Sequence, residues 1–254
     1  MQASVKVMDI DIDMMTKDIF IQKMNEYLSD EKLEVILFAS TELLDLAVED
    51  ESYCNLISQA DLILPGEEAL LSAHHVDILE AGGMVVSCKS LGVMLENLWQ
   101  RDQSLYIIGK NDKEVELLKS WCQRMQPELK MAGARAYDPE MEDAALVNEI
   151  NNQTPGILLV DLETGLQEQW IMEHLPLLHA RLCVAVGGVV GLILAEEKEI
   201  PEWVKKLHLE SLYEKLVKEQ AVKKDVQARI FRKKVVQYNN QLEENDDEKK
   251  DDYI

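Results

Sequence analysis

The chain has 254 residues, with 26 basic and 48 acidic side chains, and its formal net charge is −22. This charge argues against nucleic acid or an anionic membrane as a general partner, because like charges repel over most of the surface. With 47% apolar residues, a chain of this length can bury a full hydrophobic core in one large α/β domain, or in one domain plus an appendage.

The cysteines and the N-terminus favour a cytoplasmic location. The four cysteines are isolated, with no C-x-x-C pair, and Cys122 and Cys183 fall in apolar patterns typical of small buried side chains in a reducing compartment. The spacing offers no ligand set for a metal, so we expect neither a metal nor a cofactor. The first residues lack the apolar core of a signal peptide, and no run approaches the ~20 apolar residues of a membrane span.

The first half of the chain alternates short apolar runs with segments of 3.6-residue periodicity. The pattern predicts strands at residues 5–12, 33–38, 61–64 and 84–87. It predicts helices at residues 16–28, 41–58 and 67–75. Thr16 is a plausible N-cap, and the second helix is expected to break near Asp50. Glu67 and Glu68 are well placed for a positive helix N-terminus.

The second half repeats this alternation. It predicts strands at residues 104–109, 129–134, 156–160 and 182–186. A helix is predicted at residues 112–125, and Asp138 with Pro139 is expected to open the next one, as N-cap and first helical residue. Apolar strands with interposed helices predict an α/β fold, with a mostly parallel, Rossmann-like sheet flanked by helices and a C-terminal helical appendage.

The composition changes near residue 219, which predicts a domain at residues 1–218 and a charged helical tail at 219–254. Val222, Val226 and Ile230 mark one face of that helix, and the acidic run at 243–248 is expected to be disordered. Residues 218–234 carry a local charge of +5, from seven cations and two anions. Two alternatives stay open, contact with an anionic membrane surface or a solvated, partner-binding helix.

Several polar and glycine residues follow predicted strands, where parallel α/β proteins place ligand groups. Gln167 and Glu168 are candidates for contacts to a ligand, and the alternative is a helix turn that is polar because it faces water. Gly109, Gly187 and Gly188 would let backbone N–H groups approach a phosphate. Other patterns are weaker. Trp170 is expected in the core, and the adjacent histidines at 74 and 75 point about 100° apart on a helix and cannot share one ion.

A series of short motifs runs in order along residues 5–218. It comprises Ser40-Thr41-Glu42, a strand ending at Pro65, Tyr106-Ile107-Ile108-Gly109, the Tyr137 loop, Gln167-Glu168-x-Trp170, Val186-Gly187-Gly188 and Pro201-x-Trp203. In order and spacing this series resembles the WecG/TagA/CpsF glycosyltransferase family. The resemblance implies transfer of a sugar, typically N-acetylmannosamine, from a UDP donor to a lipid-linked acceptor at the inner face of a bacterial membrane.

The chain departs from the family where catalysis is expected. Gly66 stands where family members usually have an aspartate proposed as the base, and Glu67 follows it; an inverting transfer needs a carboxylate to accept the acceptor's proton. The alternative is that Glu67 only stabilises a helix N-terminus. Ser40 alone remains of a Thr-x-Asn motif. The arginines that often hold the donor diphosphate are missing, and the nearest cations are Lys205, Lys206 and Lys215.

The resemblance and the residues together predict a glycosyltransferase that moves an N-acetylhexosamine-type sugar from a UDP-sugar to a lipid-linked acceptor in cell-surface polysaccharide synthesis. The alternative is a catalytically degenerate relative that binds a nucleotide sugar or acts as a scaffold. Glu67 is the predicted base. The predicted substrate-binding residues are Ser40, Gly109, Tyr137, Gln167, Glu168, Gly187 and Gly188. The expected location is cytoplasmic, with peripheral contact at the inner membrane face through the basic tail.

Overall fold

The computed structural model describes residues 3–29, 31–67, 69–70, 88–197 and 199–251. Several predictions lie outside these residues. They are most of the helix at 67–75, with Glu68 and the two histidines, and the strand at 84–87.

The described residues form strands and helices in the predicted alternation. The strands are β1 (Ala3–Val7), β2 (Ile10–Met14), β3 (Glu34–Ala39), β4 (Leu62–Pro65), β5 (Ser104–Gly109), β6 (Lys130–Ala136), β7 (Ile157–Asp161) and β8 (Leu182–Ala185). The helices are α1 (Lys17–Tyr27), α2 (Thr41–Glu49), α3 (Glu51–Ile57), α4 (Cys88–Gln100), α5 (Asp112–Met125), α6 (Asp143–Gln153), α7 (Leu166–His174), α8 (Val189–Ala195), α9 (Glu202–Lys206) and α10 (Glu210–Asp251).

Six strands form one parallel sheet in the order β4-β3-β8-β7-β5-β6. Every residue of β3, β7 and β8 is buried, because helices cover both faces of the sheet. Neighbouring residues on one strand enter different cores, as Ile36 and Leu37 do. This architecture confirms the predicted α/β fold with a mostly parallel sheet.

Local capping chemistry explains where several helices begin. The Thr16 hydroxyl accepts a hydrogen bond from the Ile19 N–H (3.3 Å), which confirms Thr16 as N-cap. Asp50 separates α2 from α3, and its carboxylate accepts from the N–H groups of Ser52 (2.8 Å) and Tyr53 (3.2 Å). The predicted break near Asp50 is therefore confirmed.

The single strand predicted at residues 5–12 is wrong, since β1 and β2 form an antiparallel hairpin there. Met8 and Asp9 make the turn with φ values of 49° and 65°, although neither is glycine. In a single strand, buried residues recur at every second position, but Val7 is at an odd position and Ile10 and Ile12 are at even ones. This shift by one residue indicates a turn, which the single-strand prediction did not take into account.

Asp138 does not open a helix, so that prediction is also wrong. Its carboxylate accepts from the Glu140 N–H (2.9 Å), and its carbonyl accepts from the Met141 N–H (3.1 Å). These bonds close a tight turn, and α6 starts only at Asp143. An aspartate followed by proline suits a turn as well as an N-cap, and here the turn is formed.

Helix α10 continues across the predicted division at 218/219, and its backbone is helical to Asp251. Phe231 and Val235 are buried in the same core as β3 and β7, and the Lys234 ammonium lies 2.7 Å from the Asp45 carboxylate. The apolar face predicted from the sequence is exposed to solvent: Val222, Val226 and Ile230 are 63%, 49% and 48% exposed. The division into two domains and the disorder of the chain's end stay predictions.

No helix within the described residues combines the length and the apolar character needed to cross a membrane.

Candidate functional site

A cavity of about 280 Å³ lies at the carboxyl edge of the sheet. Its lining comes from residues that follow β3, β4, β5, β7 and β8, together with helix α10; these include Ser40, Glu42, Glu67, Lys110, Glu163, Thr164, Gly187, Gly188 and Gln220. Strand ends at this edge are the usual ligand site of open α/β sheets. The volume is at the small end of small-molecule sites.

One wall of the cavity is built where β3 and β4 end side by side. The Ser40 hydroxyl accepts from the Leu43 N–H (3.1 Å), so Ser40 is the N-cap of α2. The Glu67 Oε2 accepts from the Thr41 N–H (3.3 Å), which places this carboxylate at the same helix end. The N-terminus of a helix favours negative charge, which suits a carboxylate at this position beside the cavity.

Gly66 occupies the position directly after β4, where the backbone of β3 leaves no room for a side chain. A Cβ at position 66 would lie 2.6 Å from the carbonyl oxygen of Ala39, and the Gly66 N–H donates to that oxygen at 2.7 Å. No side chain fits there without moving the backbone of β3. Glu67 is therefore the first residue after β4 whose side chain has room at the cavity.

Another wall of the cavity is the turn formed by Gly187 and Gly188 after β8, the strand next to β3. Gly188 has a φ of +79° and serves as the N-cap of α8, a conformation that glycine adopts without strain. A Cβ on Gly187 would lie 2.7 Å from the Leu162 carbonyl oxygen. Both glycines line the cavity. The Gly187 N–H donates to Gln167 and the Gly188 N–H donates to Asp161, so backbone approach to a ligand stays a prediction.

Gln167 and Glu168 support this turn from behind the cavity. They are 2% and 0% exposed, so the water-facing alternative is wrong. The Gln167 amide accepts from the Gly187 N–H (3.0 Å) and donates to Glu168 (2.8 Å), whose other oxygen accepts from the Gly165 N–H (2.7 Å). Burial raises the pKa of the Glu168 carboxyl. Neither side chain is among the residues that line the cavity.

Gly109 and Tyr137 lie away from the cavity lining. A Cβ on Gly109 would lie 2.7 Å from Cγ2 of Val115, and its carbonyl accepts from the Tyr137 N–H (2.8 Å). Tyr137 follows β6, the edge strand, which is separated from β7 by β5. The residue after Gly109, Lys110, is the one that reaches the cavity.

Lys110 is a functional candidate that the sequence analysis missed. Among the described lining residues it is the one cation, against the carboxylates of Glu42, Glu67 and Glu163. Its ammonium lies 3.9 Å from Glu163, whose side chain is 75% exposed, so the pair is weak. None of the predicted cations, Lys205, Lys206 and Lys215, is among the lining residues.

Asp161 is a second missed residue. It ends β7, is 1% exposed, and its Oδ1 accepts from the N–H groups of Gly188 (2.7 Å) and Val189 (3.2 Å). Burial, and then the negative charge of Glu114, raise the pKa of Asp161 to about 7, against the opposing effects of these N–H groups and Lys110. An aspartate at the last position of an apolar strand is the sequence signal for it.

The remaining predictions concern the core and metals. Trp170 is buried, and its indole N–H donates to Asp143 (3.0 Å), which confirms the core interpretation. Cys122 and Cys183 are buried as predicted, and burial raises the pKa of the Cys122 thiol to about 12. Over the described ranges, no cluster of three or more His, Cys, Asp or Glu side chains suits a metal ion.

The parallel sheet defines an α/β protein, and its cavity lies at the edge where such proteins usually bind small molecules. The chain matches the family described as "Glycosyl transferase WecG/TagA/CpsF family" over residues 5–235, and it belongs to that family. The resemblance carried by the motifs is thereby confirmed.

The chain is also similar to curated enzymes of Staphylococcus aureus. One, from strain NCTC 8325 / PS 47, is named N-acetylglucosaminyldiphosphoundecaprenol N-acetyl-beta-D-mannosaminyltransferase and is 22% identical over 217 residues, which cover 85% of each protein. The protein of the same name from strain COL has the same identity and coverage.

Proposed function

We propose that this protein transfers an N-acetylhexosamine-type sugar from a UDP-sugar to a lipid-linked acceptor in cell-surface polysaccharide synthesis. The observation that carries the proposal is a cavity that brings together Ser40, Glu67, Lys110 and the Gly187–Gly188 turn in a chain of this family. The names of the relatives describe transfer of N-acetylmannosamine to a diphosphoundecaprenol-linked sugar, which supports this acceptor class here.

Charge supports a particular orientation of the donor. The donor diphosphate lies beside Lys110, because this is the cation among the described lining residues, and the Thr164 hydroxyl on the same side can donate to a phosphate oxygen. The Gly187–Gly188 turn lines the same cavity and carries no side chains, so a bulky diphosphate can approach its backbone closely. Gln167 and Glu168 contribute by holding this turn in place.

Glu67 is the proposed base of an inverting displacement. The acceptor hydroxyl oxygen attacks the anomeric carbon on the face opposite the diphosphate, and a new C–O bond forms. The bond between the anomeric carbon and the phosphate oxygen breaks, and UDP leaves with its electron pair while the Lys110 charge balances it. The hydroxyl proton passes to the Glu67 carboxylate.

A transfer assay tests this proposal. Purified protein is incubated with UDP-N-acetylmannosamine and a short-chain lipid-linked N-acetylglucosamine diphosphate, and the product is followed by chromatography and mass. We expect one sugar to be added with inversion at the anomeric carbon. Binding of the UDP-sugar without any product with this acceptor or related lipid-linked sugars would favour the nucleotide-sugar-binding alternative.

Peripheral membrane contact is proposed through α10. Its exposed Val222, Val226 and Ile230 lie within the basic stretch at 218–234, and apolar and cationic groups together favour an anionic lipid surface. Sedimentation with anionic liposomes tests this. We expect the protein to pellet with the lipid, and a Val226→Asp, Ile230→Asp variant to remain in the supernatant. Equal pelleting of both proteins would contradict the assignment.

A further inference from the structure

The Gly187–Gly188 turn has no capping side chain of its own. Its N-cap position is a glycine, so the N–H groups that open α8 need an acceptor from elsewhere in the fold. Asp161 supplies it, since one carboxylate oxygen accepts from both Gly188 and Val189. On the other side, the amide of Gln167 accepts from the Gly187 N–H. Three consecutive N–H groups are therefore held by two buried side chains.

The sheet topology places Asp161 where it can do this. β7 and β8 are neighbours in register, with Val160 opposite Ala185, and the Val186 N–H donates to the Val160 carbonyl (2.9 Å). The residue that ends β7 therefore lies beside the turn that follows β8. Asp161 itself is not among the cavity lining residues, so it acts on the cavity through the turn.

The burial of Asp161 is costly, which separates it from an ordinary surface cap. A buried carboxylate loses its hydration, and the second oxygen, Oδ2, is buried with no hydrogen-bond partner among the described residues. Of the two charged side chains that act on it, Glu114 disfavours its charged form and Lys110 favours it. Because burying this carboxylate is unfavourable, we expect it to have a role at the site, and the turn is what its hydrogen bonds hold.

We propose that Asp161 is a positioning residue of the donor site, which holds the Gly187–Gly188 wall in place without touching the donor. The inference rests on the proposed function for its ligand, a UDP-sugar, but the contact between Asp161 and the turn can be tested without any nucleotide. The part of the side chain that matters is the acceptor oxygen Oδ1, which an asparagine retains and an alanine removes.

Two variants and one control separate this role from general destabilisation. Asp161→Asn keeps an acceptor oxygen of the same reach. Asp161→Ala removes the acceptor of the Gly188 N–H, while the Val189 N–H keeps its bond to the Val186 carbonyl (3.0 Å). Asp143→Ala removes a different carboxylate, one that accepts from Trp170 and is not among the cavity lining residues. Calorimetric titration with UDP-N-acetylglucosamine should give about tenfold weaker binding for Asp161→Ala. Asp161→Asn and Asp143→Ala should stay within about threefold of the wild type.

The independent readout is the amide resonances of Gly188 and Val189 in proton–nitrogen spectra of the full chain without nucleotide. In the wild type these two resonances should move with pH, with a midpoint near 7, as Asp161 titrates. In Asp161→Asn the pH-dependent movement should be lost. If both amides titrate but Asp161→Ala binds the donor as well as the wild type, the positioning role is overturned. If the wild type binds no UDP-sugar, the proposed function fails separately.

If the amide resonances of Gly188 and Val189 change neither with pH nor in Asp161→Asn, the contact between Asp161 and the turn is itself contradicted. Equal losses of affinity in Asp161→Ala and Asp143→Ala would overturn the proposal as well, because they would trace the effect to stability alone.

Discussion

The carboxylate of Glu67 accepts a hydrogen bond from the backbone N–H of Thr41, over 3.3 Å between the two heavy atoms. This bond joins the second residue after β4 to the first turn of α2, across the ends of two paired strands. Gly66, the residue before Glu67, packs directly against Ala39 and leaves no room for a side chain. Glu67 is among the residues that line the cavity.

Replacing Glu67 by glutamine is expected to lower the transfer rate by about a hundredfold or more, because a general base typically contributes that much and an amide cannot accept the proton. The rate is measured with the lipid-linked acceptor at saturating donor. Glu42→Gln is the matched control, since it removes the same charge from the lining of the same cavity. Unchanged turnover in Glu67→Gln would eliminate Glu67 as the base.

Replacing Lys110 by alanine is expected to weaken UDP-sugar binding by about tenfold or more, because it removes a charge-assisted hydrogen bond to the diphosphate. Calorimetry gives the dissociation constants. Lys205→Ala serves as control, because that ammonium pairs with Glu202 at 2.6 Å on α9 and is not among the cavity lining residues. The assignment would be lost if both variants bound the donor equally well.

Gln167→Ala is expected to lower the free energy of unfolding by about 1–3 kcal/mol, because it leaves the Gly187 N–H and a Glu168 oxygen buried without their partner. Urea denaturation measures the change. Gln169→Ala, at an exposed position of the same helix, should change it by less than about 0.5 kcal/mol. Similar values for the two variants would mean that the buried amide contributes nothing beyond helix propensity.

Asp161→Asn is expected to gain stability relative to the wild type as pH rises. The pKa of Asp161 is raised from 3.8 to about 7 on folding, so between these values the folded protein retains a proton that the unfolded chain has released. The wild type's free energy of unfolding therefore falls across this window, by about 1.4 kcal/mol per pH unit from this group, and the fall ends above pH 7. Asparagine does not titrate.

Urea denaturation of both proteins at pH 5 and pH 7.5 checks this, since the comparison cancels the titration of the other carboxylates. A difference between the two proteins that is the same at both pH values would show that Asp161 is ionised normally in the fold.

Phe231→Ala is expected to cost about 3–5 kcal/mol of stability, because the ring is 1% exposed in the core beneath α10. The adjacent Ile230 is 48% exposed, and Ile230→Ala should cost less than about 0.5 kcal/mol. Thermal and urea unfolding compare the two. If both variants lost little and equal stability, residues 219–254 would not be packed on the α/β domain, and the predicted division at residue 218 would be supported.

The alternation of apolar strands and helices was enough to predict the parallel α/β fold, because fully buried strands need apolar residues at every position. Local chemistry predicted the Thr16 cap and the Asp50 break, since both depend on a side chain and its own neighbouring backbone. The hairpin at Met8 and Asp9 was missed because the change of phase in the apolar alternation was not interpreted as a turn, although aspartate tolerates a positive φ.

The site was predicted only in part, because the order of strands in a sheet is not readable from one sequence. Gly187 and Gly188 follow a central strand and line the cavity, whereas Tyr137 follows the edge strand and does not. Lys110 and Asp161 were missed for a related reason. The burial and the charged neighbours that single them out come from other strands and helices.

The measurement that tests the central claim most directly is a calorimetric titration of the purified protein with UDP-N-acetylmannosamine and UDP-N-acetylglucosamine. A cavity that holds the sugar diphosphate between Lys110 and the glycine turn predicts saturable binding at one site per chain, with a dissociation constant of about 1 μM to 1 mM. Heat that never exceeds the dilution blank with either UDP-sugar, or with UDP itself, would contradict it.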